Sequence, residues 1–304
     1  MCKIEIPLSV NSRYKGEYYR NFRLATKKSG NLMLFAADQK IEHLNDDFVG
    51  PTAHQDDSQP EHLFHIADQA KVGVMACHLG LLAKYGHFYR SIPYLVKLNG
   101  KTNLVPTKQH EPLSKVLHTV EQVMDFAKNS HLKIVGVGYT IYLGSAYESD
   151  MLAEAARIVY QAQRHGLLSV LWIYPRGQAV SNEHDPHLIA GAVGVAACLG
   201  ADFVKVTYPN KASKAELKNI IKAAGKTGVI FSGGSSQEPK DFLKSLRQQI
   251  DLGARGSATG RNIHQRSLPN AIRMAQAITA ISVYNYNCQV ANDIYLGKIK
   301  FNNK

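Results

Sequence analysis

Ala201-Asp-Phe-Val-Lys-Val-Thr-Tyr-Pro209 is an apolar run bounded by Gly200 and Pro209 and interrupted by one charge, Lys205. A strand buried on both faces, as in a parallel sheet, reads as a continuous run of this kind rather than as an alternation. An ammonium inside it is costly unless it is paired, loses its proton or points into a wet cavity. Two readings of Lys205 therefore stand. It is a lysine at a strand's exposed end, snorkelling or salt-bridged, or it is an amine of lowered pKa that attacks a carbonyl carbon to form a Schiff base.

The flanking sequence repeats one pattern. Helical spacing over residues 186–199, closed by Gly200, precedes the run, and helical spacing over 214–224 follows it. The pattern predicts strands at 32–38, 72–78, 94–99, 134–142, 167–175, 203–208, 228–233 and 256–260. Helices are expected at 60–71, 79–88, 112–129, 147–165, 186–199, 214–224, 239–250 and 268–284. Eight strand–helix units in strict alternation imply an α/β fold with a parallel sheet closed as a (β/α)8 TIM barrel. The barrel is expected to span residues 32–284 as a single domain, behind an N-terminal helical extension (1–31) and ahead of a C-terminal tail (285–304). The one long connection, 44–59, reads as a loop over the barrel mouth.

Composition narrows the function classes. With 304 residues, 45% of them hydrophobic, the chain can bury a full core. No signal sequence and no apolar run long enough to span a bilayer is visible, so a cytoplasmic protein with no membrane partner is expected. Cys2, Cys77, Cys198 and Cys288 are scattered, without zinc-ligand or disulfide spacing. The net charge of +12 attracts anions, but the basic residues are dispersed and lack interleaved aromatics, so nucleic acid is not an expected partner. Gly100-Lys-Thr102 and Gly225-Lys-Thr227 mimic the end of a phosphate-binding loop, but Leu95 and Ile220 stand where its first glycine belongs. Gly136-Val-Gly138 is a lone G-x-G within a strand. His54, His62 and His65 form no metal-ligand pattern and read as solvated or capping residues; no metal is expected.

In such barrels the site lies at the C-terminal ends of the strands. The polar residues there are Asp38, His78, Lys97 and Asn99, Tyr139 and Tyr142, then Trp172, Tyr174 and Arg176, and Lys205. Strands seven and eight end in Ser232-Gly233-Gly234 and Gly260-Arg261-Asn262, glycine turns suited to a phosphate.

Seven motifs then resemble one family in order, one per strand over about residues 32–280: Ala37-Asp-Gln-Lys-Ile-Glu-His43, Val96-Lys-Leu-Asn-Gly-Lys-Thr102, Gly136-Val-Gly-Tyr-Thr-Ile-Tyr142, Leu171-Trp-Ile-Tyr-Pro-Arg-Gly177, Phe203-Val-Lys-Val206, Phe231-Ser-Gly-Gly234 and Thr259-Gly-Arg-Asn-Ile-His-Gln-Arg266. The family is the class I fructose-bisphosphate aldolase of the archaeal type, a branch of the DeoC aldolase superfamily. The resemblance implies Lys205 as the Schiff-base lysine, Tyr174 as general acid/base, Asp38 as proton shuttle and Trp172 as the aromatic that shapes the substrate site. It places Ser232, Gly233, Gly234, Gly260 and Arg261 at phosphate, with Lys97 beside the substrate. Family members often have Asp-His-Gly where this chain has Asp38-Gln39-Lys40. Arg176 is a candidate for the second phosphate or, equally, a rim salt bridge.

The implied reaction is the reversible cleavage of fructose 1,6-bisphosphate to dihydroxyacetone phosphate and glyceraldehyde 3-phosphate, with no metal and no cofactor. The implied partners are small sugar phosphates and copies of the same chain in a homo-oligomer. Because a phenol is a weak base in water, Lys205, Lys97 or Arg176 is expected to lower the pKa of Tyr174. Another aldol, transaldol or acyl transfer on a phosphorylated keto compound is the alternative. A non-catalytic barrel that binds polyanions is a third reading.

Overall fold

The structure is a computed structural model that describes residues 4–42, 47–102, 104 and 111–302. His43 and residues 44–46 of the long connection lie outside the described residues. Eight parallel strands close into a barrel in which each pairs with the next in sequence and the last with the first. They are β1 (Leu32–Ala36), β2 (Val74–Cys77), β3 (Pro93–Lys97), β4 (Lys133–Leu143), β5 (Leu168–Pro175), β6 (Phe203–Val206), β7 (Gly228–Ser232) and β8 (Gly256–Thr259). The β-branched and apolar runs that predicted these strands are buried except near some C-terminal ends, such as Tyr174 and Ser232, because one face fills the barrel and the other meets the surrounding helices.

The interior is packed with Leu32, Leu34, Val74, Val170, Phe203 and Ile230. Farther up, it turns polar. Cα partners across the sheet include Thr140 with Trp172 and Trp172 with Lys205, so these three share one register, and Lys97, paired with Gly138, ends β3 nearby. Gly136 and Gly138, the lone G-x-G, are explained by packing. A β-carbon on Gly138 would sit 2.8 Å from Leu95 Cδ2 and 2.9 Å from Trp172 Cη2, so the missing side chain is what lets the indole enter the barrel.

The other mouth is sealed by the N-terminal helix Lys15–Ala25. Phe22 stacks on Phe203 with centroids 5.8 Å apart, and Asn21 Nδ2 donates to the Gly166 carbonyl at 2.9 Å. Tyr18 donates its phenol proton to Asp202, whose other carboxylate oxygen accepts from Ser169 N and Oγ at 2.7 and 2.9 Å. Asp202 stands immediately before β6, so the plug is tied to the strand that carries Lys205.

Two sequence expectations change. The helix expected from residue 112 begins at Val120, where Thr119 and Gln122 form a capping box, and the preceding Lys115–Val116 pairs instead with Asn99–Gly100 as a short antiparallel ribbon. The tail contains a helix, Cys288–Tyr295, capped by Asn287 and packed by Ala291 and Ile294.

Tyr18→Phe should remove one hydrogen bond from the half-buried Asp202, at a cost of about 1–3 kcal/mol, read as a lower midpoint in denaturant unfolding. Gly138→Ala should overpack the indole at a similar cost, about 1–3 kcal/mol. Unlike Tyr18→Phe, it should also change the intrinsic fluorescence of Trp172, the chain's one tryptophan.

Candidate active site

Lys205 and Lys97 flank one indole. Their Nζ atoms lie 5.4 and 5.3 Å from the Trp172 ring centroid, within the range of a cation–π attraction. The two lysines differ in their partners. Lys97 is fully buried, and its ammonium donates to Glu42 Oε1 at 2.7 Å and to the Asn99 carbonyl at 3.2 Å, with Asp38 Oδ2 at 3.8 Å. Among the described residues, no hydrogen-bond acceptor is within reach of Lys205 Nζ, although Asp38 lies near enough to act on it by charge.

Burial, opposed by Asp38 and reinforced by Lys97, lowers the Lys205 ammonium to about 8. Burial opposes the charge on Asp38 as well, but Lys97, Lys205 and His78 outweigh it and hold the carboxyl below its ordinary value. The resting pattern is an ionised Asp38 between two amines. One is ion-paired to Glu42 and Asp38, and the other is lowered by burial to about 8.

Tyr174 departs from expectation. Burial, with Asp38 adding to it, raises its phenol well above the usual value, and only Arg176 opposes this. The cations do not make Tyr174 a base in the resting protein; it stands as an acid. Arg176 lies 5.7 Å over the Tyr174 ring and 5.8 Å over that of Tyr142, and is ion-paired to Glu183 by two hydrogen bonds of 2.7 and 3.0 Å. The rim salt bridge is thus formed, at the edge of the cavity.

Asp38, Trp172, Tyr174, Arg176 and Lys205 open into one cavity of about 880 Å³, with Ser232, Gly233, Gly234, Gly260 and Arg261 across from them. Lys97 stands behind this wall. Asp38 Oδ1, Thr140 Oγ1 and Trp172 Nε1 are buried without hydrogen-bond partners, an arrangement that suits a wall meant to hold a polar molecule. At the opposite side Gly234 takes φ +66°, and Asn262 ties the two glycine turns together. Its Nδ2 donates to the carbonyls of Gly233 and Ser235 at 2.8 and 2.9 Å, and its Oδ1 accepts from Gln237 N. Arg261 Nη1 is 3.6 Å from Asp47 Oδ1.

The sequence reading missed several members. Glu42 follows Asp38 by one helical turn, in the short helix Gln39–Glu42, and that spacing was a signal. Asn262 sits in the strand-eight turn that was singled out for its glycine and arginine. Gln39, His264 and Asp57 are brought together from three separate segments, which no local pattern announces. His62 is buried rather than solvated, because it binds the His264 carbonyl at 3.0 Å, while His54 caps a short helix as expected.

Comparison with known proteins bears on this geometry. A model of the DeoC/LacD family aldolases matches residues 32–266. A Methanocaldococcus jannaschii protein named fructose-bisphosphate aldolase/6-deoxy-5-ketofructose 1-phosphate synthase is 54% identical over 299 residues, 98% of this chain and 96% of that one. A class 1 fructose-bisphosphate aldolase of Halobacterium salinarum is 37% identical over 245 residues, 80% and 88% of the two chains. Among solved structures, a fructose-bisphosphate aldolase from Slackia heliotrinireducens superposes with a TM-score of 0.95 at 49% identity, covering 99% of this chain and 96% of that one. An archaeal fructose-1,6-bisphosphate aldolase, described with its catalytic lysine covalently bound to the carbinolamine intermediate, superposes with a TM-score of 0.75 at 33% identity, covering 88% and 99%. With a family match over most of the barrel and relatives alike from end to end, the chain belongs to the DeoC/LacD family of aldolases.

Proposed function

We propose that the protein is a Schiff-base aldolase that reversibly cleaves fructose 1,6-bisphosphate to dihydroxyacetone phosphate and glyceraldehyde 3-phosphate, and that Lys205 is its nucleophile. The observation that carries the reading is a buried lysine of lowered pKa, with no hydrogen-bond acceptor, opening beside Asp38 and Tyr174 into a cavity with two glycine turns. The names of the M. jannaschii and H. salinarum relatives support the substrate. We place the enzyme in the cytoplasm as a homo-oligomer. Among the described residues, no helix is long and apolar enough to cross a membrane.

In the cleavage direction, the neutral Lys205 amine adds to the C2 ketone and the carbinolamine oxygen leaves as water, giving an iminium ion. The C3–C4 electron pair flows into that cation as the C4 hydroxyl loses its proton. Glyceraldehyde 3-phosphate departs and an enamine remains on Lys205. Protonation at C3 and hydrolysis of the renewed iminium release dihydroxyacetone phosphate and the free amine.

Tyr174 is the group that carries the C4 hydroxyl proton. Its resting phenol matches the condensation direction, where it donates to the aldehyde oxygen as the C3–C4 bond forms. Asp38, ionised and next to the amine, moves protons at the carbinolamine. Lys97 is held by Glu42 and Asp38, and its fixed charge helps deprotonate Lys205. The glycine turns and Arg261 receive a phosphate, and Arg176 is placed for the second one once Glu183 yields it.

A second reading is favoured by one observation, the double name of the 54% identical relative. The enamine on Lys205 is a nucleophile toward any carbonyl that fits the cavity, so a transaldol reaction with a different acceptor uses the same residues. Turnover of another sugar phosphate, without cleavage of fructose 1,6-bisphosphate, would favour that reading.

Borohydride reduction with dihydroxyacetone phosphate, followed by peptide mass mapping, should place the adduct on Lys205; an adduct elsewhere, or none, would sink the mechanism. Lys205→Met should abolish trapping and turnover yet leave the melting temperature equal or higher. A lysine depressed from 10.5 to about 8 destabilises the fold below pH 8, by about 3 kcal/mol, and methionine removes that cost. The pH profile carries the same sign. The reactive amine is the unprotonated form, so the rate of adduct formation should rise through an apparent pKa near 8 and fall about tenfold per unit well below it.

A further inference from the structure

Behind the turn that follows β8 lies a chain of three polar side chains that no step of the aldol reaction uses. His264 and Asp57 are fully buried, and His264 Nδ1 meets Asp57 Oδ2 at 2.6 Å. On its other side, His264 Nε2 is hydrogen-bonded to Gln39 Oε1. Phe48 lies flat on the imidazole, with centroids 4.9 Å apart and planes 5° apart. Lys40 Nζ sits 4.1 Å over the Phe48 ring and donates to the Asp57 carbonyl at 3.1 Å. An apolar filling of the same volume would avoid the desolvation of these groups, so the chain needs a role beyond packing.

Gln39 is the end of the chain that reaches the cavity. It follows Asp38 directly, and its amide rests on Gly260 so closely that a β-carbon there would collide with it, Nε2 lying 2.5 Å away. When both imidazole nitrogens of His264 carry hydrogen, one donates to Asp57 and the other to Gln39 Oε1, and the Nε2 hydrogens are what Gln39 has left to offer an anion. The same connection is fastened to the segment after β8 at three more points. Gln265 Nε2 donates to the Asp47 carbonyl at 2.9 Å, His54 N to the Gln265 carbonyl at 3.3 Å, and Leu268 N to Asp56 Oδ2 at 3.3 Å.

We propose that Asp57, His264 and Gln39 form a positioning relay. It fixes the Gln39 amide against Gly260 and so sets the phosphate-binding turn after β8 at a defined place relative to Asp38 and Lys205. The inference rests on the aldolase reading of the cavity. It assigns the long connection after β1 a task, holding the phosphate end of the substrate in register with the amine. Loss of the relay then penalises ketones that carry phosphate and spares those that do not.

The test compares wild type, His264→Leu, His264→Gln and Gln39→Met in three assays. These are the kinetics of fructose 1,6-bisphosphate cleavage, inhibition by inorganic phosphate, and borohydride trapping with dihydroxyacetone phosphate or with dihydroxyacetone. In His264→Leu, KM should rise about 10- to 30-fold with kcat within about threefold, the loss expected of one hydrogen bond to a charged group. Phosphate inhibition should weaken in parallel, and trapping with dihydroxyacetone should change by less than about twofold. His264→Gln, which keeps a donor toward Gln39, should recover part of the loss. Gln39→Met leaves the His264–Asp57 pair in place and should reproduce the KM effect even if His264→Leu fails to fold. Equal losses with both ketones, or an unchanged KM in Gln39→Met, would overturn the relay. If wild type traps neither ketone, the aldolase reading falls, and the relay is then judged on inorganic phosphate affinity alone.

Discussion

The site depends on the burial of two lysines in an apolar barrel, with two carboxylates to share between them. Lys97 takes Glu42 as a hydrogen-bonded partner and Asp38 at longer range. What remains for Lys205 is an attraction to Asp38 that desolvation outweighs. The barrel thus divides charge unequally: Lys97 is ion-paired to both carboxylates, and Lys205 holds its proton more weakly because its charge is left less compensated. Trp172 makes the division local. Its ring centroid lies within 5.4 Å of both Nζ atoms, and Gly138 supplies the space for it.

Stability and chemistry sit at opposite ends of the same strands. At the N-terminal mouth the plug helix brings Tyr18 to Asp202, whose second carboxylate oxygen accepts from Ser169. At the C-terminal mouth, Asp38, Thr140 and Trp172 each leave a buried polar atom unpaired. An unsatisfied group costs about 1–3 kcal/mol, so the open end is the one the rest of the fold must support. Asp202 and Lys205 belong to one strand region three residues apart, which connects the support directly to the end with unpaired polar atoms.

The sequence made most of the barrel legible for a physical reason. Strands buried on both faces and helices closed by glycine leave strong local patterns, and strand ends identify the catalytic level without any knowledge of contacts. Lys205, Tyr174, Asp38, Trp172 and Arg176 were readable because each ends or interrupts an apolar run, and all five border one cavity. The ribbon at Lys115–Val116 was not readable, because a two-residue strand has no periodicity of its own. Nor was the acidity of Tyr174. Counting nearby cations predicted a lowered pKa, whereas its depth in the barrel and the ionised Asp38 raise it, and depth is a property of the closed fold.

Gln39, His264 and Asp57 illustrate the remaining limit. None is interpretable from its own segment, and their meaning comes from the pairing of β1 with β8 that closes the barrel. Closure places the residue after Asp38 against the turn after Thr259, so the first and last units of the chain build one wall of the cavity. In the proposed reaction, Asp38 on one unit and the glycine turn on the other must keep a fixed separation if a single sugar phosphate is to span them. Main-chain hydrogen bonding in the sheet fixes that separation only as far as the strand ends. Beyond Ala36 and Thr259 the ladder stops, and side chains have to carry the register across; the amide of Gln39 on Gly260, held from behind by His264, is the contact that does so.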